Sequence, residues 1–236
     1  MIPLPKFAGN YIGGFISLIY PNTCAVCGKI LPGNKQVLCT WCMHSLPETG
    51  YHRVGRNPVE ELFYGRLPAD HAMALLFFDR GSKYRRLIYQ LKYQDRKENG
   101  VFLGKLIGSR LKESGFDFID IIIPVPLHKA KFRRRGFNQS SVIAHGISGI
   151  LNKPLIEDIL FRNTYTATQT RKGRYERWKN VEGIFECRNS EKVEHKHILL
   201  IDDVVTTGAT LEAAGSALLK IPGVRLSIAT AAYSTT

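Results

Sequence analysis

From about residue 70 onward the chain alternates between two hydrophobic textures. The segments 71–78 (HAMALLFF), 119–125 (IDIIIPV), 197–202 (HILLID) and 224–232 (VRLSIATAA) are short apolar runs that predict strands, and the run at 119–125 suits a strand buried on both faces. Between them lie stretches with helical spacing. Leu87, Ile88 and Leu91 share one face of YRRLIYQLKY, behind a Gly81-Ser82 start signal, and further helices fit 98–113, 139–151 and 209–220. Strands alternating with helices predict an α/β fold, a mainly parallel sheet flanked by helices. Ligands of such open sheets sit at the carboxyl ends of the strands, which points to the loops after Val125 and after Ile201.

The amino-terminal part has a different texture. The first twenty residues contain a single charge, Lys6, and are interrupted by glycines; they read as an amphipathic packing helix rather than a signal peptide, because no small-x-small cleavage site follows. Residues 24–42 then read Cys24-x-x-Cys27, eleven residues, Cys39-x-x-Cys42. Two such turns can present four thiolates to one tetrahedral Zn2+, with Gly28 free to adopt the backbone angles of the knuckle. The other readings of the spacing are a pair of disulfides or a redox C-x-x-C. A structural zinc suits a segment too small to build a core, and a closed four-thiolate shell leaves no position for catalysis. Trp41, Lys29 and Lys35 would suit nucleic-acid or protein contacts, and His44 and Cys187 read as ordinary surface and packing residues. A polar stretch at 47–60 marks a boundary, so the expected organisation is a helix and zinc-ribbon-like segment over 1–50 and an α/β domain over 60–236.

Composition narrows the partners. At 236 residues with 44% hydrophobic and 22% charged residues the chain is long enough for one good core, and its 33 Lys and Arg against 20 Asp and Glu, a net +13, point to an anionic partner. No apolar run reaches the roughly 18 residues of a membrane-spanning helix, and the free-thiol chemistry favours a reducing, cytoplasmic setting. Neither G-x-x-x-x-G-K-[ST] nor G-x-G-x-x-G occurs, so the commonest nucleotide-binding loops are absent.

The most informative string is ILLIDDVVTTGAT at 198–210. An apolar strand delivers Asp202 and Asp203 to the ligand edge of the sheet, and Thr206 to Thr210 then turn into a helix whose first N–H groups make a phosphate cradle. Carboxylates repel phosphate but accept from vicinal hydroxyls, so the ligand that satisfies both is a ribose 5-phosphate moiety. Two basic stretches fit an anionic ligand as well. Lys129, Lys131, Arg133, Arg134 and Arg135 follow the strand at 119–125, and RKGRYERWK occupies 171–179 in a polar, glycine-marked loop. Tyr175 and Trp178 among those cations could stack on a base or on single-stranded nucleic acid.

ILLIDDVVTTGAT resembles the phosphoribosyl-pyrophosphate signature of type I phosphoribosyltransferases. Together with the four-cysteine knuckle, PVPLHKAKFRRRGFNQS at 124–140 and TATQTRKGRYERWKNVEGIF at 166–185, it resembles the ComF family over nearly the whole chain. The resemblance implies that Asp202 and Asp203 hold the ribose diol and that Val205, Thr206, Thr207, Gly208, Ala209 and Thr210 bind the 5′-phosphate. It places His128, Lys129, Lys131, Arg133, Arg135 and Gly136 in a pyrophosphate loop. Thr168, Gln169, Arg174, Arg177 and Asn180 fall in a hood that closes over the reacting centre, and Lys92 lines the site. It also implies Mg2+ bound with phosphoribosyl pyrophosphate, a role in DNA uptake during natural transformation, and as partners single-stranded DNA and other competence proteins such as a DNA-uptake helicase. The acceptor of any transfer, and whether turnover occurs, is not legible. The two competing readings are a non-catalytic nucleic-acid or partner-binding module on the same fold and a base-salvage phosphoribosyltransferase.

Overall fold

A computed structural model describes residues 21–32, 36–79, 81–163 and 184–234 of the chain. The expected amino-terminal helix and the hood residues Thr168, Gln169, Arg174, Arg177 and Asn180 lie outside them. The chain divides into two compact units, Met1–Leu46 and Pro47–Thr236.

In the first unit the chain folds back on itself at the first C-x-x-C. Thr23 and Ile30 form an antiparallel bridge, and Cys24 N–H donates to Lys29 O at 2.8 Å. Gly28, at φ +76°, takes the left-handed turn the knuckle needs, its N–H donating to Cys24 O at 2.9 Å. The second C-x-x-C opens the short helix α1 (Thr40–His44), whose first turn is capped by the Cys39 sulfur accepting from Cys42 N–H. Among the described residues of this unit, Cys24, Val26, Leu31, Leu38 and Cys42 are its buried apolar residues.

The second unit is built on four parallel strands, β1 (His71–Phe77), β2 (Ile121–Pro124), β5 (His197–Val205) and β6 (Arg225–Tyr233), in the order β1-β6-β5-β2. Helices α3 (Arg85–Tyr93), α4 (Lys97–Glu113), α6 (Gln139–Leu151) and α7 (Ala209–Leu218) lie close to the expected bounds. Leu87, Ile88 and Leu91 form the buried face of α3 as their spacing requires. On one face of the sheet Ile123, Ile198, Leu200 and Ile228 pack with Leu211 and Leu218 of α7, with Phe63 and Leu67, and with Val59 of the short helix α2 (Pro58–Glu61). Alternation along β5 turns Leu199 and Ile201 to the other face.

Four features depart from the sequence expectations. β5 runs three residues further, to Val205, because the long β6 keeps pairing with it: Asp202 faces Thr230, and Val204 and Val205 face Ala232 and Tyr233. β2 is shorter than the apolar run, although Asp120 N–H and Val125 N–H still donate to His197 O and Ile201 O just beyond its two ends. The polar stretch at 47–60 is not a linker. Phe77 N–H donates to Pro47 O and Thr49 N–H to Leu75 O, and the Asn57 side chain, 2% exposed, reaches Ala72 O at 2.9 Å while capping α2. These residues cover the otherwise open edge of β1. Finally, an antiparallel pair, β3 (Leu160–Arg162) and β4 (Phe185–Cys187), occupies a region that reads as featurelessly polar. Phe185 and Leu160 of that pair belong to the main core.

Helices α4 and α6 cross at backbone contact. A Cβ on Gly104 would lie 2.0 Å from Ile143 O, and one on Gly146 2.4 Å from Val101 O, so the crossing requires glycine at both positions. We expect Gly104→Ala to cost about 3 kcal/mol or more in urea denaturation, as overpacking against backbone that cannot yield. Gly149→Ala, in α6 with open space around it, should gain about 0.5–1 kcal/mol. Equal effects at the two positions would show that the crossing is looser than described.

Candidate functional site

The site forms where three elements meet at the carboxyl end of β5. The Asp202 Oδ1 accepts from Ser140 Oγ at 2.9 Å and from Asp203 N–H at 2.8 Å, and Asp203 Oδ2 pairs with Lys92 Nζ at 2.9 Å. Ser140 is in the first turn of α6. Asn138 caps that helix by accepting from Ser140 N–H at 3.2 Å, and its amide donates to Val125 O at 3.0 Å, tying the start of α6 to the end of β2. Lys92 comes from the last turn of α3. Each carboxylate is therefore held by a different helix.

Burial first, and the charge of Asp203 second, push the Asp202 carboxyl up to about 7, against the hydrogen bonds from Asp203 N–H and Ser140 that favour its ionised form. A carboxyl poised there exchanges its proton near neutrality, and in its ionised form it is acceptor-only. Asp202 closes the strand expected at 197–202, and Asp203, expected just past it, is a strand residue too, with β6 continuing to pair as far as Val205.

Beyond Val205 the chain leaves the sheet through the exposed Thr206 and Thr207 and enters α7. Gly208 sits at φ +77°, where a Cβ would be 3.0 Å from the Phe63 ring; both facts favour glycine. No side chain caps α7, so the N–H groups of Ala209 and Thr210 stand at an uncapped helix amino terminus. Arg66 steadies the turn, donating to Thr207 O at 3.2 Å and pairing with Glu212.

The residues expected in a pyrophosphate loop are instead mostly helical. Lys129–Arg135 form the short helix α5, capped by the His128 Nδ1 accepting from Ala130 N–H at 3.2 Å and ended by Gly136 at φ +77°. The reason is local: KAKFRRR contains no helix breaker, and its arginines fall in the last turn, where the helix dipole favours cations. Lys129, Lys131 and Arg133 are exposed, whereas Arg135 folds inward, donating to Gln139 Oε1 at 2.8 Å and lying 5.3 Å from the Tyr93 ring centroid. His145, which reads as a packing residue, is exposed on α6.

Of the predicted residues, the structure thus brings together Asp202, Asp203 and Lys92. Sequence reasoning missed Ser140 and Arg66. The Asn138-x-Ser140 capping pattern was a usable signal for the first, because it fixes a helix start beside β2. Nothing in the sequence around Arg66 announces the second.

In the amino-terminal unit the four sulfurs of Cys24, Cys27, Cys39 and Cys42 all lie within 4.8 Å of one another, and Cys27 Sγ and Cys39 Sγ are 3.7 Å apart. Tetrahedral thiolates at zinc-like bond lengths would be about 3.8 Å apart, so the set can hold a metal ion. The thiols themselves argue the same way. Burial raises Cys24, but N–H groups of Cys27, Cys39 and Val26 outweigh it and bring it down to about 6, whereas burial and the crowding sulfurs push Cys42 up to about 12. A dication held among the sulfurs would favour their ionised forms. Cys187 is half-buried and its thiol is raised to about 11 by burial, as for an inert packing residue.

Residues 134–234 match the phosphoribosyl transferase domain family, and with the parallel sheet and its flanking helices this makes the second unit a type I phosphoribosyltransferase domain. The match runs beyond the domain. The chain is 32% identical over 212 residues to the DNA utilization protein YhgH of Escherichia coli O157:H7, covering 87% of each chain. It is 33% identical over 103 residues to competence protein F of Haemophilus influenzae (43% of this chain, 45% of that one) and 36% identical over 100 residues to competence protein ComFC of Bacillus subtilis (42% and 38%). The chain belongs to the ComF family. No described helix is long and apolar enough to cross a membrane.

The raised Asp202 carboxyl has a signed consequence for stability. A folded value of about 7 against about 3.9 unfolded means that its contribution is fully present below about pH 3.9 and is lost as pH rises through 7. Asp202→Asn keeps the Oδ1 acceptor and removes the ionisable group. Its stability gain over the wild type should be near zero at pH 4, grow as pH rises to 7 and level off by pH 8, read from urea midpoints across that range. A difference that does not change with pH would contradict the assignment.

Proposed function

We propose that this protein binds phosphoribosyl pyrophosphate in the manner of a type I phosphoribosyltransferase and serves the handling of DNA taken up by the cell. The observation that carries the first half is the carboxylate pair on β5, followed directly by an uncapped helix amino terminus. Asp202 and Asp203 accept from the ribose 2′ and 3′ hydroxyls, and Val205, Thr206, Thr207, Gly208, Ala209 and Thr210 donate backbone and hydroxyl hydrogens to the 5′-phosphate. His128, Lys129, Lys131, Arg133, Arg135 and Gly136 supply charge and donors for the diphosphate. Thr168, Gln169, Arg174, Arg177 and Asn180 close over C1′ and exclude water. Mg2+ bound with the ligand would neutralise diphosphate charge as the bond to C1′ breaks.

Such chemistry needs no strong nucleophile. Displacement at C1′ proceeds through an oxocarbenium-like centre, and a site that orients the ribose and stabilises the leaving diphosphate supplies what the reaction requires. In this scheme Lys92 acts as an internal counter-ion, neutralising Asp203 until the diol arrives. The second half of the proposal draws on the relatives named for competence and DNA utilization. It places the protein in the cytoplasm, working with single-stranded DNA and with other competence proteins such as a DNA-uptake helicase. Zn2+ is the metal we assign to Cys24, Cys27, Cys39 and Cys42, in a structural role.

Calorimetry tests the ligand. The double variant Asp202→Asn, Asp203→Asn should lose at least about 100-fold in affinity for Mg-phosphoribosyl pyrophosphate, the worth of two charge-assisted hydrogen bonds. Wild-type affinity should also rise from pH 6 to pH 8, as Asp202 ionises near 7; undiminished binding by the double variant would refute the site. For the metal, purified protein should contain about one zinc per chain and Cys42→Ser should lose it with a drop in melting temperature. A folded, zinc-free wild type would refute that assignment.

A further inference from the structure

The outward face of α3 is unusual for a surface helix. Arg85, Tyr89 and Tyr93 stand at i, i+4 and i+8, a single stripe opposite the buried Leu87, Ile88 and Leu91. Tyr89 is 55% and Tyr93 56% exposed, and their ring centroids are 5.0 Å apart. The Arg135 guanidinium, 5.3 Å from the Tyr93 centroid, carries the stripe onto α5, where Phe132 is 48% exposed between cations. Neither helix contains an acid. The acids next in the chain, Asp95 and Glu98, are already paired with Lys97 and Arg96. Lys129, Lys131, Arg133 and Arg134 are exposed and make no ion pair with another described residue.

A ligand that uses this whole face must be anionic along its length and must offer flat rings at intervals. An acidic peptide would meet the cations and leave the tyrosine faces in water. A duplex would present phosphates with its bases stacked inside. Single-stranded nucleic acid matches both features, because its bases are free to stack on aromatic side chains while its phosphates follow the cations.

We infer that the α3–α5 face binds single-stranded nucleic acid, with successive bases on Tyr89 and Tyr93 and phosphates on Arg85 and Arg134. The diphosphate assignment uses neither arginine. The inference deepens the DNA-handling half of the proposed function and rests on that reading; it is independent of the phosphoribosyl pyrophosphate half. Its geometry has one corollary. Lys92, one residue before Tyr93, reaches the acid pair from the same helix end, so a strand lying on Tyr93 passes beside the ribose site.

The test is fluorescence anisotropy of a labelled 20-nucleotide oligothymidylate with the full chain, alongside calorimetry of phosphoribosyl pyrophosphate on the same proteins. Tyr89→Ala and Tyr93→Ala should each weaken the strand by about tenfold, and Phe at either position should retain most of the affinity, since the ring face is kept. Tyr89→Ala should match the wild type in melting temperature and phosphoribosyl pyrophosphate affinity, because that ring is more than half exposed; for Tyr93, whose ring lies against Arg135, the Phe variant is the one expected to keep both. A wild type that binds the strand while both Ala variants bind it equally well would overturn this surface and leave the DNA-handling reading standing. Equal affinity for a duplex, or displacement by poly-glutamate of equal charge at the same concentration as by oligothymidylate, would overturn stacking in favour of a purely electrostatic face. A wild type that binds no strand would overturn both this inference and the DNA-handling reading, and the calorimetry would judge the ligand site separately.

Discussion

Two adjacent carboxylates at the end of a buried strand are an electrostatic problem, and much of the second unit is arranged to contain it. Successive residues of a strand point to opposite faces, so Asp202 and Asp203 are turned apart, and each meets a group from a different helix. Ser140 gives Asp202 a hydrogen bond without charge, whereas Lys92 gives Asp203 a full counter-charge. The asymmetry leaves Asp202 to carry the burial cost, and that is why its proton is held to near-neutral pH.

That arrangement depends on helix placement to within fractions of an ångström. Ser140 reaches Asp202 only if α6 lies close against the sheet and begins at the right height. Asn138, bound to Val125 O, sets the height. The glycine-to-glycine crossing of α4 and α6 lets two helices share one face of a four-stranded sheet. The opposite face is closed differently, by α7, the Phe63 region and the β3–β4 pair, and Phe63 is also the ring that presses on Gly208 at the turn. Core packing and the turn into α7 are therefore the same contact viewed from two sides.

The amino-terminal unit solves a smaller problem with different chemistry. Among its described residues four sulfurs converge on a set that can hold a metal ion, and metal binding there would add to the stability of the fold. Within the set the surroundings differ: backbone N–H groups draw the Cys24 thiol down to about 6, while burial and the neighbouring sulfurs push Cys42 up to about 12.

What the sequence determined alone was whatever depends on local pattern: the alternation of strands and helices, the four-cysteine spacing, and the string at 198–210 with its acids and its turn. Those signals are short-range, since hydrophobic period, cap residues and ligand spacing are all written within a dozen positions. Tertiary structure decided the rest. The length of β5 was set by its neighbour β6, and the polar stretch at 47–60 became an edge cover because β1 had an edge to cover. Above all, Ser140 and Lys92 lie 62 and 111 positions from the carboxylates they hold. No local pattern encodes a partner that only the folding of the sheet brings within hydrogen-bonding distance.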